Sequence, residues 1–169
     1  MDRITKFQFY FNSDKIDITD PCYDRDVWCR MSVKIVPGEY TVFVEEKEYS
    51  DWGRRIASLT IANTKNFSYT SGDEMVSVVM NKGDVVGEIG VDAGLAGFFI
   101  DKPDFSDEEW SDLCDRYFFD SDWGDIVYVS SGEAQQGVWS RSGFGDGGYN
   151  VYGIKNNQGK YTALQIRFI

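Results

Sequence analysis

The chain has 169 residues, with 17 Lys and Arg against 28 Asp and Glu, three cysteines and no histidine. A net charge of −11 makes the surface repel phosphate backbones and anionic lipid, which disfavours ordinary nucleic-acid and anionic-membrane binding. Without histidine, imidazole-dependent acyl transfer and histidine-ligated zinc are excluded.

Hydrophobic residues make up 42% and aromatics 16%, enough to bury a core, and no repeat or Pro/Ser-rich linker divides the chain. One domain over 1–169 is expected. The cysteines, Cys22, Cys29 and Cys114, form no C-x-x-C pair and are too few for an all-cysteine zinc site. Their odd number and a start without an apolar leader point to a reducing, cytoplasmic setting. No run approaches the roughly 18 apolar residues that span a bilayer.

Taken in chain order, period-two alternation comes first. Phe7, Phe9 and Phe11 alternate with Gln8 and Tyr10, and a short strand is expected at 15–18. After a Pro37-Gly38 turn signal, Tyr40, Val42 and Val44 alternate with Thr41, Phe43 and Glu45. Ala57, Leu59 and Ile61 alternate with Ser58 and Thr60, which reads as a half-buried strand. Further strands are expected at 75–80, 85–91, 97–100, 126–130, 137–140 and 149–155. Thr162, Leu164, Ile166 and Phe168 give the last alternation, joined to 149–155 by a hairpin at Asn156-Asn157-Gln158-Gly159.

One stretch has helical character. Ser106 and Glu109 form a capping box, and Phe105 and Trp110 fit a hydrophobic staple around it. Trp110, Leu113, Cys114, Tyr117 and Phe118 then follow the stripe of a helix with one buried face, placed at about 107–119. Many strands around one amphipathic helix give a mainly-β fold, a β-sandwich or partly open barrel with the helix over an end or a face.

Three loops carry chemistry-bearing residues. In Thr19-Asp20-Pro21-Cys22-Tyr23-Asp24, proline turns the strand end sharply and brings the Asp20 carboxylate near the Cys22 thiol. Asp20 either caps that turn or faces a ligand. The second is Gly90-Val91-Asp92-Ala93-Gly94-Leu95-Ala96-Gly97, an aspartate among small residues. Its glycines permit close approach of a ligand or of a neighbouring strand. It lacks the hydroxyl residue and second copy of an aspartic protease, and the chain is too short for two actin-like lobes. The third is Ser142-Gly143-Phe144-Gly145-Asp146-Gly147-Gly148-Tyr149, with four glycines in six residues. It lacks the Lys-Ser/Thr end of a P-loop and the spacing of a calcium loop. It is either an irregular hairpin or a direct ligand contact. Beside these, Trp52-Gly53-Arg54-Arg55 supplies two guanidinium groups inside an acidic stretch. The acidic run 101–125 reads as a solvated face or as a surface for a basic partner.

Four elements together carry a likeness: Asp-Pro-Cys-Tyr at 20–23, Trp-Gly-x-Arg-x-Ala at 52–57 with Arg55 in the arginine place and Arg54 extra, Asp-x-Gly-x-x-Gly-Phe at 92–98, and Ser-Gly-aromatic-Gly-Asp-Gly-x-Tyr at 142–149. In this order the chain resembles the domain of unknown function 4241 group of Firmicutes and their phages. The resemblance covers nearly the whole chain and implies one domain and a cluster of the three loops. It lends no reaction; through phage occurrence it implies an accessory or counter-defence role.

The leading functional expectation is a binding protein rather than an enzyme. Asp20, Cys22, Tyr23, Trp52, Arg55, Asp92, Gly94, Ser142, Gly145, Asp146 and Tyr149 would line one pocket for a small polar, nucleotide-like ligand or a partner protein's side chain. Arg55, or failing that Arg54, would answer an anionic group, and no cofactor is required. The chain can form a homo-oligomer, and neither nucleic acid nor membrane is an expected partner. One alternative is a phosphoesterase in which Asp20, Asp92 and Asp146, with or without Asp101, hold a divalent cation, or in which Cys22 is a nucleophile. Another is an acidic interaction module or DNA mimic.

Overall fold

A computed structural model describes residues 1–23, 30–68, 71–100, 105–130 and 133–169. Eleven strands lie among them. In chain order they are β1 (Arg3–Phe11), β2 (Lys15–Thr19), β3 (Met31–Lys34), β4 (Gly38–Tyr49), β5 (Gly53–Asn63), β6 (Asp84–Val91), β7 (Leu95–Ile100), β8 (Trp123–Ser130), β9 (Glu133–Arg141), β10 (Gly147–Lys155) and β11 (Tyr161–Arg167). The helices are α1 (Thr64–Phe67), α2 (Gly72–Lys82) and α3 (Asp107–Leu113). The strands form two antiparallel sheets that do not close into a barrel, with orders β1-β4-β5-β11-β10-β6 and β3-β2-β7-β9-β8.

The sheets face each other across the main core. Phe11, Ile16, Ile18, Val42, Leu59, Ile61 and Phe98 are almost wholly buried there. Each such side chain contributes about 1.5–3 kcal/mol through burial. The expected mainly-β sandwich is the observed architecture, and the hairpin between β10 and β11 forms where the sequence places it, with Gly159 at φ 77°.

A helix covers the outer face of each sheet. On α3, Ser106 accepts from the Glu109 amide while the Glu109 carboxylate accepts from the Ser106 amide. This helix runs on into a single π-helical turn (Cys114–Phe118), so the helix expected at 107–119 is present with a widened second half. Its apolar face packs on Leu95, Phe99, Ile126 and Trp139 of the five-stranded sheet. The Phe118 and Trp139 rings meet edge-on at 4.7 Å.

The stretch 75–80, expected as a strand, is instead the middle of α2. Its valines favour extended structure in isolation. A second capping box, Ser71 with Glu74, starts a helix just before them, and Met75, Val76 and Val79 then fall on one face. That face covers Phe43, Ala62 and Ala163 on the six-stranded sheet. Burial of a helical face outweighs the local preference of the valines.

The cover over this sheet corrects a further expectation. Strands β5 and β11 are central and buried on both faces rather than half-buried. Most of their outward polar groups are paired, with Gln165 Oε1 the exception. The Gln165 side-chain amide donates to Thr60 Oγ1 at 2.9 Å and to the Val76 carbonyl at 3.1 Å. Ser58 and Arg167 both donate to Glu45 Oε2, each at 2.7 Å. No helix of the described residues is long and apolar enough to cross a membrane.

Candidate functional site

Strand β2 ends at Thr19, and Pro21 forces the chain to turn. The turn buries Asp20 completely. A buried carboxylate must be satisfied, and this one accepts three backbone amides. Its Oδ1 takes the Cys22 amide at 2.8 Å, and its Oδ2 takes those of Asp92 and Ala93 at 2.8 and 2.6 Å. Burial pushes the Asp20 carboxyl above the ordinary carboxylate range, the three amides pull against it, and the nearby Asp92 charge adds to the rise. Asp20 thus ties the first loop to the second, 72 residues away in sequence.

The second loop turns at Gly94, whose φ of +67° suits glycine. The Gly94 carbonyl accepts the Ser142 amide at 3.1 Å and so reaches the third loop. Ser142 Oγ donates to the Gly145 carbonyl at 2.7 Å. The Tyr149 hydroxyl lies 2.6 Å from the same carbonyl and 3.1 Å from that of Ser142. Burial, with Asp146 nearby, raises the pKa of this hydroxyl, which favours its donor form. The Tyr149 ring is fixed edge-on to Phe168 at 5.1 Å. Hydrogen bonds therefore join the three loops into one unit.

Beside this unit stands the β4–β5 hairpin. Its tip, closed by the Trp52 amide donating to the Tyr49 carbonyl at 2.9 Å, raises Trp52 to 64% exposure. Phe144, 57% exposed, lies edge-on to Tyr49 at 5.4 Å and to Trp52 at 6.1 Å. The Arg55 guanidinium carbon is 6.0 Å from the Phe144 ring centre. Between hairpin and loops lies a hollow of about 590 Å³. Trp52, Arg55, Phe144 and Arg141 line it together with Gly94, Ser142, Gly143 and Gly145.

The arginines around it differ in their partners. Arg141 donates to the Phe118 carbonyl at 2.8 Å and lies 3.3 Å from Asp122. The first contact uses a carbonyl at the end of the π-helical turn, so the helix over the sheet holds this guanidinium in place. Arg54 lies 3.4 Å from Glu48. Among the described residues, no carboxylate pairs with Arg55.

Of the residues singled out in the sequence, Trp52, Arg55, Gly94, Ser142 and Gly145 meet at this hollow. Asp20 and Tyr149 stand behind it, engaged in holding the loops. Asp92, Asp146 and Cys22 are exposed and Tyr23 is half-buried, and none of them lines its wall. Arg141, Gly143 and Phe144 line it without having been singled out. A bulky aromatic between two glycines was the available signal for Phe144. Arg141, the last residue of a strand, carried none.

The three-aspartate arrangement is not formed. Both Asp20 oxygens are taken by amides, and no three acidic or thiol side chains among the described residues come together as a metal site. Asp101 and Cys29 lie outside the described residues. Comparison of the chain with protein-family models, with curated proteins and with solved structures gives no match.

Proposed function

We propose that the chain is a binding protein, rather than an enzyme, whose hollow takes up a small molecule carrying an anionic group and a flat apolar part. One observation carries this reading: Arg55, unpaired among the described residues, lines a hollow whose other walls include two exposed aromatic side chains. In a chain with 28 acidic residues against 17 basic ones, a guanidinium left without a carboxylate is a place for an external anion. Trp52 and Phe144 expose apolar area that a flat ligand would cover. The volume falls in the range of small-molecule sites, and the walls combine apolar surface with a few polar groups.

Sequestration of such a molecule is the activity this site can perform. A phage or prophage accessory role, including counter-defence, follows from the family resemblance and fits sequestration. The test is calorimetry and thermal shift with a panel of aromatic anions on the wild type and on Arg55→Ala. The expected result is saturable binding of at least one panel member that the substitution abolishes without lowering the melting temperature. Binding unaffected by Arg55→Ala would overturn the reading.

A further inference from the structure

A second, smaller hollow of about 120 Å³ adjoins the first. The two share Arg55, Arg141 and Gly143 in their linings. Their remaining walls differ in character. The larger has Trp52 and Phe144, whereas the smaller has Glu46, Arg54 and Asp122. The two unlike lobes thus meet at a pair of guanidinium groups.

We infer that the ligand is a nucleoside phosphodiester, with its base in the aromatic lobe, its phosphate at the Arg55–Arg141 neck and a sugar in the polar lobe. This inference rests on the reading of the larger hollow as an anion site. Its first support is connectivity. A carboxylate or a phosphate monoester is joined to its molecule at one point, so the anionic group itself does not link a part in one lobe to a part in the other. A phosphodiester is an anion in the middle of a molecule, with a substituent on each side. Its two unesterified oxygens match the fork of a guanidinium.

Charge gives the second support. Arg54 pairs with Glu48, Arg141 with Asp122, and Arg3 donates to Glu46 at 2.7 Å. Arg55 is left as the one uncompensated positive charge among these groups. One charge suits a diester, which carries a single negative charge at neutral pH. A second negative charge would find no further unpaired guanidinium among these groups.

The polar lobe gives the third. The Glu46 and Asp122 carboxylates are acceptors for sugar hydroxyls, and the aromatic faces across the neck suit a base. The same chemistry occurs in single-stranded nucleic acid. A chain of net charge −11 repels an extended phosphate backbone, so the free small molecule is the source.

The experiment is calorimetric titration of the full chain with the dinucleoside monophosphate ApU, 5′-AMP, adenosine, dimethyl phosphate, indole-3-acetate and a single-stranded octanucleotide. The expected result is one-to-one binding of ApU at least tenfold tighter than any other probe. Arg55→Ala should remove that advantage, while Phe144→Ala should weaken ApU and adenosine alike. Equal or tighter binding of 5′-AMP would overturn the single-charge argument, and of the octanucleotide the small-molecule source. Indole-3-acetate as the tightest Arg55-dependent probe would overturn the phosphodiester and leave the anion site standing. No Arg55-dependent binding by any probe would remove both.

Discussion

Replacing Asp20 tests whether one buried carboxylate holds the site together. Asp20→Ala leaves three backbone amides without their acceptor: those of Cys22, Asp92 and Ala93. A hydrogen bond to an ionised group contributes about 1.5–3 kcal/mol net. The Cys22 side of the turn is exposed, so water replaces much of that bond. Removing the carboxylate also relieves the burial cost that raises its pKa. The remaining loss is about 3–4 kcal/mol at neutral pH. For a chain of this size that corresponds to roughly 6–16 °C in melting temperature. Asp20→Asn retains one acceptor oxygen. Turned toward Asp92 and Ala93, it gives up only the exposed amide, for a loss of about 1–2 kcal/mol. Calorimetric melting with hydrogen exchange at the Asp92 and Ala93 amides reads both effects. An alanine variant within about 0.5 kcal/mol of the wild type, with those amides still protected, would show that Asp20 does not hold the loops together.

Three other perturbations probe the frame around the site. Burial raises the Tyr40 pKa to about 12, against a weaker opposing hydrogen bond to Asn63. Its contribution to stability is therefore complete below pH 10 and is lost as the pH rises to about 12, for a total of about 2–3 kcal/mol. Ultraviolet titration should show a component ionising near pH 12 that Tyr40→Phe removes, and complete ionisation near pH 10 with the fold intact would contradict this. Gly97→Ala would place a Cβ 2.1 Å from the Val138 carbonyl oxygen on the neighbouring strand. A loss of about 3 kcal/mol or more in urea unfolding is expected, and an unchanged midpoint would argue against so close an approach. Ser71→Ala removes the side-chain acceptor that starts α2 and should cost about 1 kcal/mol by the same measurement; no loss would mean the cap contributes nothing.

The strands were legible because their apolar residues recur with period two, and α3 because its capping box and stripe agree. The helix α2 was legible in part. Its Ser71–Glu74 box has the same spacing as Ser106–Glu109, but the valines that follow look like a strand when read alone. This helix covers Ala62 and, through Gln165, reaches Thr60 on the second face of β5, so one misread element also hid the burial of Thr60. The site was legible as loops and not as contacts. Turn chemistry marks 20–24, 90–97 and 142–149, whereas the bond from Asp20 to the Asp92 amide depends on how β2 and β7 pair. Arg141 is the clearest omission. Its place is set by the Phe118 carbonyl, 23 residues away, and no local pattern encodes that contact.

Arg55 is the proposed receiver of an anion in the hollow that Phe144 also lines. Nuclear magnetic resonance of the arginine Nε–H groups, together with the backbone amides, tests it directly during titration with ApU. The expected result is a saturable shift of the Arg55 Nε–H signal, matched in midpoint by the amides of Gly143, Phe144 and Gly145. An Arg55 signal that stays in place through saturation, while shifts gather elsewhere on the molecule, would contradict it.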